Sequence, residues 1–259
     1  MTLRRAAPRR HLERQNRAVT APDERAAGLW RSLVADPKHG PLPILLLVMT
    51  VTTGVVDAVS LLSLGRVFVA NMTGNVVFIG FALVGARGYS LAASLFALGG
   101  FLVGALGGGM ALDRLRLNRL RLLRNAISVE FGLLVVALVV AVLSGSPLDR
   151  AAADPIAACM AVALGLQNSV ARRLAVPDLT TTVLTMTLTG IAADVRQRDR
   201  ATIGRRLLAV ASMLVGAVAG ALLVLHVSPA AGVGLAVALM GLMLLSTMVA
   251  ARAPAAWHT

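Results

Sequence analysis

Eight apolar runs, most of them close to twenty residues long, follow one another through the chain and restrict it to folds that a lipid bilayer can accommodate. A helix needs about 20 apolar residues to cross a hydrocarbon core about 30 Å thick. Charged residues make up only 14% of the sequence, compared with about 25% in an average soluble domain. The sequence therefore predicts an all-α integral membrane protein, with 41–259 as one membrane domain. The runs lie at 44–64, 67–85, 91–112, 125–145, 155–171, 178–194, 206–227 and 229–251.

Basic residues between the runs indicate how many of them cross. Residues 1–40 contain nine Lys and Arg residues, and 114–124 and 196–206 contain five arginines each. Such clusters stay on the cytoplasmic side. Eight crossings would place 114–124 outside, whereas six crossings keep every cluster and both termini inside. We therefore predict about six transmembrane helices, with broken or re-entrant segments at 67–85 and 178–194.

The segments also repeat. A shift of 111 positions moves the segment starts 44, 67 and 91 onto 155, 178 and 202. The same shift moves Gly-Val-Val-Asp-Ala at 54–58 onto Gly-Leu-Gln-Asn-Ser at 165–169, and it brings Thr73 within one residue of Thr185. Because each half crosses the membrane three times, the second half starts from the opposite side. The sequence therefore predicts two inverted 3+3 repeats like those of secondary transporters. The half-repeats are about 44–145 and 155–251.

Polar residues inside the apolar runs are the candidate site. A carboxylate at the depth of Asp57 is costly and is by default a functional candidate, although it can also clamp two helices together. The oxygens of Asn71, Thr73 and Asn75 can coordinate a cation, or these residues can cap half-helices around Gly74. The candidate substrate- or ion-binding residues are Asp57, Asn71, Thr73, Gly74, Asn75, Gln167, Asn168 and Thr185.

Other residues suit structural roles. Gln167 and Asn168 fit hydrogen bonding between helices, and Glu130 is expected near the cytoplasmic interface, where it reaches water. Small residues at four-residue spacing on two helices predict close helix packing. These are Gly100, Gly104 and Gly108 in one run and Ser212, Gly216 and Gly220 in another.

The motifs resemble those of the YoaK-like family of bacterial membrane proteins, a domain of unknown function. The resemblance covers about 44–250 and depends on Gly54-x-x-Asp57-Ala58, Thr73-Gly74-Asn75 and Gly165-x-Gln167-Asn168. The chain departs from the family pattern at 185–187, where Thr-Met-Thr replaces the expected Thr-Gly-Thr. The resemblance implies a multi-pass protein of the bacterial inner membrane and no particular activity.

The remaining features limit the function classes. The chain has no nucleophile elbow, zinc-protease motif, P-loop or dinucleotide fingerprint, so we expect no enzyme, cofactor or metal site. The basic clusters fit topology and anionic lipid better than nucleic acid, and residues 23–35 fit either an interfacial helix or a frayed tail. The leading hypothesis is a small-solute or ion transporter or channel, and the alternative is a non-transporting scaffold or assembly factor. The glycine faces allow a homo-oligomer.

Overall fold

The computed structural model describes residues 33, 36, 40–115, 118–176, 184–194 and 200–250. Within these ranges the regular secondary structure is helical, apart from one bridge between Asp36 and Gly40. The predicted all-α class is therefore confirmed. Within the described ranges, eight helices have eleven or more residues: α1 (Leu42–Ser63), α2 (Met72–Leu83), α3 (Leu91–Leu115), α4 (Arg119–Ser144), α5 (Arg150–Leu174), α6 (Leu184–Asp194), α7 (Arg200–His226) and α8 (Pro229–Ala250).

Five of these helices, α1, α3, α4, α7 and α8, are long and apolar enough to cross a membrane. The remaining predicted span, 155–171, lies within α5, which has 25 residues and is long enough to cross. It is less apolar because Gln-Asn-Ser occurs at 167–169 and two arginines follow at 172 and 173. Much of α5 is buried against other helices, so fewer of its residues need to suit lipid.

The segments predicted to be broken contain short helices. In 67–85 only Met72–Leu83 is helical, and these 12 residues are about 18 Å long at the helical rise. In 178–194 the described helix is Leu184–Asp194, with 11 residues. The first part of that segment, 178–183, lies outside the described residues. So does the tail at 1–40 with the predicted helix at 23–35, apart from Leu33, Asp36 and Gly40.

The arginine-rich stretch after the third run is mostly helical rather than a loop. Asn118 caps α4, and its side-chain oxygen accepts a hydrogen bond from the Arg121 amide at 2.9 Å. Arginine favours helices, so α4 begins six residues before the predicted start at 125. Glu130 is consequently 11 residues inside the helix and is completely buried. The expectation that Glu130 reaches water is therefore wrong, because its side chain is enclosed by the protein.

Two helix pairs make the most extensive contacts, α3 with α5 and α1 with α7. In the first pair, a methyl group on Gly104 would overlap the carbonyl group of Val162. In the second pair, a methyl group on Gly216 would overlap the carbonyl group of Val51. Both glycines therefore let two helix backbones approach more closely than any side chain would permit.

The partner helices contribute equivalent glycines. A methyl group on Gly165 of α5 would overlap the Phe101 carbonyl oxygen of α3. A methyl group on Gly54 of α1 would overlap the Met213 carbonyl oxygen of α7. Each interface is thus close-packed through glycines on both of its helices.

The outer surfaces of α3 and α7 are apolar. Leu102, Val103 and Leu106 of α3 are each more than half exposed, as are Leu214 and Val215 of α7. Soluble monomers rarely expose large contiguous apolar patches. These surfaces therefore suit contact with lipid.

Candidate functional site

The chain between α1 and α2 is irregular, and two polar side chains hold it. A carboxylate oxygen of Asp57 on α1 accepts a hydrogen bond from the Ala70 amide at 3.3 Å. The side-chain amide of Asn75 on α2 accepts from the Phe68 amide at 2.9 Å and donates to the Phe68 carbonyl at 2.5 Å. Backbone groups at membrane depth must find partners within the protein. Asp57 and Asn75 therefore satisfy main-chain groups that a helix would have paired internally.

Gly74 lets the same segment fold back over α2. A methyl group at this position would overlap the ring of Phe68, which stacks on Phe78 with ring centroids 5.6 Å apart. Only a residue without a side chain leaves room for the ring there. Gly74 therefore has a packing role, and it places Phe68 beside the start of α2.

A cavity of about 450 Å³ lies next to this segment. Binding sites for small molecules usually have volumes of about 300–1,000 Å³. The Asp57 side chain borders the cavity although only 5% of its surface is exposed. The lining residues are Thr53, Asp57, Phe68, Ala70, Asn71, Met72, Thr73, Phe101, Asn168, Leu184, Thr185 and Met213.

The structure divides the eight candidate residues into two groups. Five of them line the cavity and three do not. The five come from α1, the start of α2, α5 and α6. Asn75 is fully buried and its amide is engaged by the backbone of Phe68, whereas Gly74 packs against a ring. The five cavity-lining candidates are Asp57, Asn71, Thr73, Asn168 and Thr185.

Gln167 links two helices instead of lining the cavity. Its side-chain amide donates to the Thr53 hydroxyl at 3.0 Å, and that hydroxyl donates to the Met49 carbonyl at 3.0 Å. Gln167 is completely buried, and its side-chain oxygen has no hydrogen-bond partner among the described residues. This bond joins α5 to α1 one helical turn before Asp57.

Sequence reasoning missed several lining residues. Thr53 lies four residues before Asp57, on the same face of α1, so helical spacing alone was sufficient to include it. Phe101 and Met213 carry no such signal, because they are apolar residues in apolar helices. Only the packing of α3 and α7 against the centre of the protein brings them to the cavity.

The arrangement offers one carboxylate, several hydroxyl and amide groups, and apolar walls. Such a site can bind a small polar molecule or an ion, because its polar groups fix orientation while its apolar walls exclude water. Among the described residues, no cluster of three His, Cys, Asp or Glu side chains is placed to hold a metal ion. The polar groups available to a ligand in this cavity are therefore Asp57 and its neutral polar neighbours.

Helices that suit a bilayer, with a polar cavity between them, define a polytopic α-helical membrane protein. The family described as "Protein of unknown function (DUF1275)" matches residues 45–246, and the chain belongs to this family. It is 31% identical over 156 residues to the UPF0700 transmembrane protein YoaK of Bacillus subtilis (strain 168), covering 60% of this chain and 67% of that protein. No solved structure matches the chain. The family resemblance predicted from the motifs is confirmed.

Proposed function

We propose that this protein is a small-solute or ion transporter or channel of the bacterial inner membrane, with its binding site in the cavity beside Asp57. The main support for this proposal is that both sequence repeats contribute equivalent positions to the cavity wall. Eight of its twelve lining residues form four pairs separated by 111 or 112 positions in the sequence. These pairs are Asp57 with Asn168, Met72 with Leu184, Thr73 with Thr185, and Phe101 with Met213.

The helix contacts support the same relation. Val51 and Val162 are separated by 111 positions, and they meet Gly216 and Gly104, which are separated by 112. The α1–α7 interface is thus repeated by the α5–α3 interface with the halves exchanged. Inverted repeats that meet at a shared site are typical of secondary transporters, in which the two halves exchange conformations to open the site to either side. These contacts support the inverted 3+3 arrangement.

The alternative function is a non-transporting scaffold or assembly factor. In a scaffold, Asp57 would serve only to clamp α1 to the segment before α2, and its surroundings would be filled. The cavity beside Asp57 favours transport over this alternative. We assign no catalytic step to the protein.

Cysteine labelling from the two sides of the membrane tests the proposal without knowledge of the substrate. Thr73→Cys and Thr185→Cys would each be introduced after replacing the native Cys159 with alanine. Both threonines line the cavity and are exposed. A membrane-impermeant thiol reagent is expected to label each variant in both right-side-out and inside-out vesicles, because a transporter or channel opens its site to both sides.

Labelling from one side only, for both variants, would contradict the proposal and favour the scaffold. Thr247→Cys serves as a matched control, because Thr247 is a fully buried threonine on α8 outside the cavity. It is expected to remain unlabelled from either side, which shows that the reagent does not enter packed helix interfaces.

The proposed topology has both termini in the cytoplasm, with the basic tail and loops against anionic lipid. A reporter tag inserted after residue 117 is expected to report the cytoplasm, because 114–124 contains five arginines. A tag inserted after residue 148 is expected to report the outside, because 145–155 contains only one basic residue, Arg150. A tag at 117 that reports the outside would overturn the six-crossing arrangement and the inverted repeat.

A further inference from the structure

We propose that the cavity beside Asp57 selects a small organic cation, either a protonated amine or a quaternary ammonium compound. This inference rests on the proposed function, because it names the class of substrate for the same site. It follows from three properties of the cavity: the sign of its charge, its size and the chemistry of its walls.

The cavity wall has one acidic residue and no basic residue among the described lining residues. Asp57 is the one ionisable side chain among the described lining residues, which include no Lys, Arg or His. The nearby Arg206 lies seven residues before Met213 on α7, which is about 10 Å along the helix axis, and it is close to Gly190 of α6 rather than in the wall. An anion would therefore face a carboxylate with no compensating charge in the described wall.

The volume of the cavity suits an organic molecule better than a bare metal ion. A dehydrated metal cation needs several oxygen ligands at about 2.0–2.6 Å, in a shell that closes around it. The cavity measures about 450 Å³, which lies within the range for small-molecule sites. A substrate with a carbon skeleton fills this space, whereas a bare ion would need to retain much of its water.

The wall chemistry complements an ammonium group with a short carbon chain. Phe68, Phe101, Met72 and Met213 are among the residues that line the cavity, and aromatic rings and thioethers suit organic cations. Such apolar surface also favours the carbon atoms of the substrate. Desolvating a carboxylate is costly unless it is paired, so a bound cation is the natural partner for Asp57.

The hydroxyl and amide groups of the wall add acceptors without adding charge. Thr73, Asn168 and Thr185 can accept hydrogen bonds from ammonium N–H groups or from a substrate hydroxyl. Asn168 occupies the position in the second half that Asp57 occupies in the first. The acidic residue is therefore contributed by one half only, which would orient a substrate with one cationic end.

Matched probes separate charge from shape. Calorimetric titration of the purified full chain in lipid nanodiscs would compare choline with its uncharged isostere 3,3-dimethylbutan-1-ol, butylammonium with butan-1-ol, and both cations with butyrate. We expect at least one cation to bind saturably, its uncharged counterpart to bind at least about tenfold more weakly, and butyrate to give no binding.

Variants assign the binding to the cavity. Asp57→Asn is expected to weaken binding of that cation at least about tenfold, whereas Asp154→Asn, on the same helix as Asn168 but outside this cavity, is expected to leave it unchanged. If Asp57→Asn fails to fold, the comparison of each cation with its uncharged isostere on the unsubstituted protein still shows whether binding depends on the positive charge.

Three results would overturn the inference: equal binding of cation and isostere, binding of butyrate, or no binding of either cation. These outcomes are distinct from failure of the proposed function. Labelling of Thr73→Cys and Thr185→Cys from both sides would still support transport of another kind of solute. Cation binding combined with labelling from one side would instead indicate a receptor that does not transport.

Discussion

Replacing Gly104 with leucine is expected to lower the free energy of unfolding by about 3 kcal/mol or more. Even a methyl group there would overlap the Val162 carbonyl on α5. Overpacking of a well-packed interface typically costs about 1–3 kcal/mol, and here the obstacle is backbone, which cannot move aside by changing rotamer. The α3–α5 interface would have to separate along its length. Thermal unfolding of the purified protein in detergent measures the loss.

The matched control is Gly107→Leu on the same helix. A methyl group at Gly107 meets no atom within 4 Å, so leucine there is expected to point toward lipid and leave stability nearly unchanged. Gly216→Leu is expected to cost about as much as Gly104→Leu, because it meets the equivalent carbonyl of Val51. If Gly104→Leu were no less stable than Gly107→Leu, the close helix contact would be wrong.

Replacing Asn75 with alanine is expected to cost about 3 kcal/mol, the second-largest effect. The change removes the bonds to both the amide and the carbonyl of Phe68. Leaving a buried polar group without a partner costs about 1–3 kcal/mol, and two part-buried backbone groups are affected here. Chemical denaturation in mixed micelles, followed by the circular dichroism of the helices, measures the difference.

Asn71→Ala is the control for Asn75→Ala. Asn71 precedes α2 but its side chain makes no capping hydrogen bond, and it is exposed. We expect little change in stability from this substitution. Equal losses for the two variants would show that Asn75 does not hold the segment before α2.

The sequence predicted the general architecture because its signals are local. Apolar runs of spanning length and arginine clusters report directly on the bilayer, and five of the predicted spans correspond to helices suited to cross it. Helix ends were less predictable. The arginines from 119 onward are helical although they interrupt the apolar pattern, since α4 begins at Arg119. Glu130 therefore lies deeper in its helix than the apolar run predicted, and it is buried rather than in contact with water.

The candidate site was only partly predictable. Polar residues in an apolar run are conspicuous, so Asp57, Asn168 and Thr185 were found from the sequence. The polar candidates do not all have the same role. The side-chain amides of Asn75 and Gln167 form hydrogen bonds with other groups of the protein instead of lining the cavity. A sequence does not reveal whether a polar side chain faces a cavity or a neighbouring main-chain group.

The sequence by itself determined that this is an all-α membrane protein of the DUF1275 family with unusual polar residues near Asp57. These properties depend on composition, local periodicity and motif, which need no knowledge of the folded chain. Only the tertiary structure decided which polar residues share a cavity and which apolar residues wall it. Glycine contacts between α1 and α7 and between α3 and α5 set the helix spacing. The contacting residues are far apart in the sequence, 165 positions for Val51 and Gly216 and 58 positions for Gly104 and Val162, and their packing brings Phe101 and Met213 to the cavity beside Asp57.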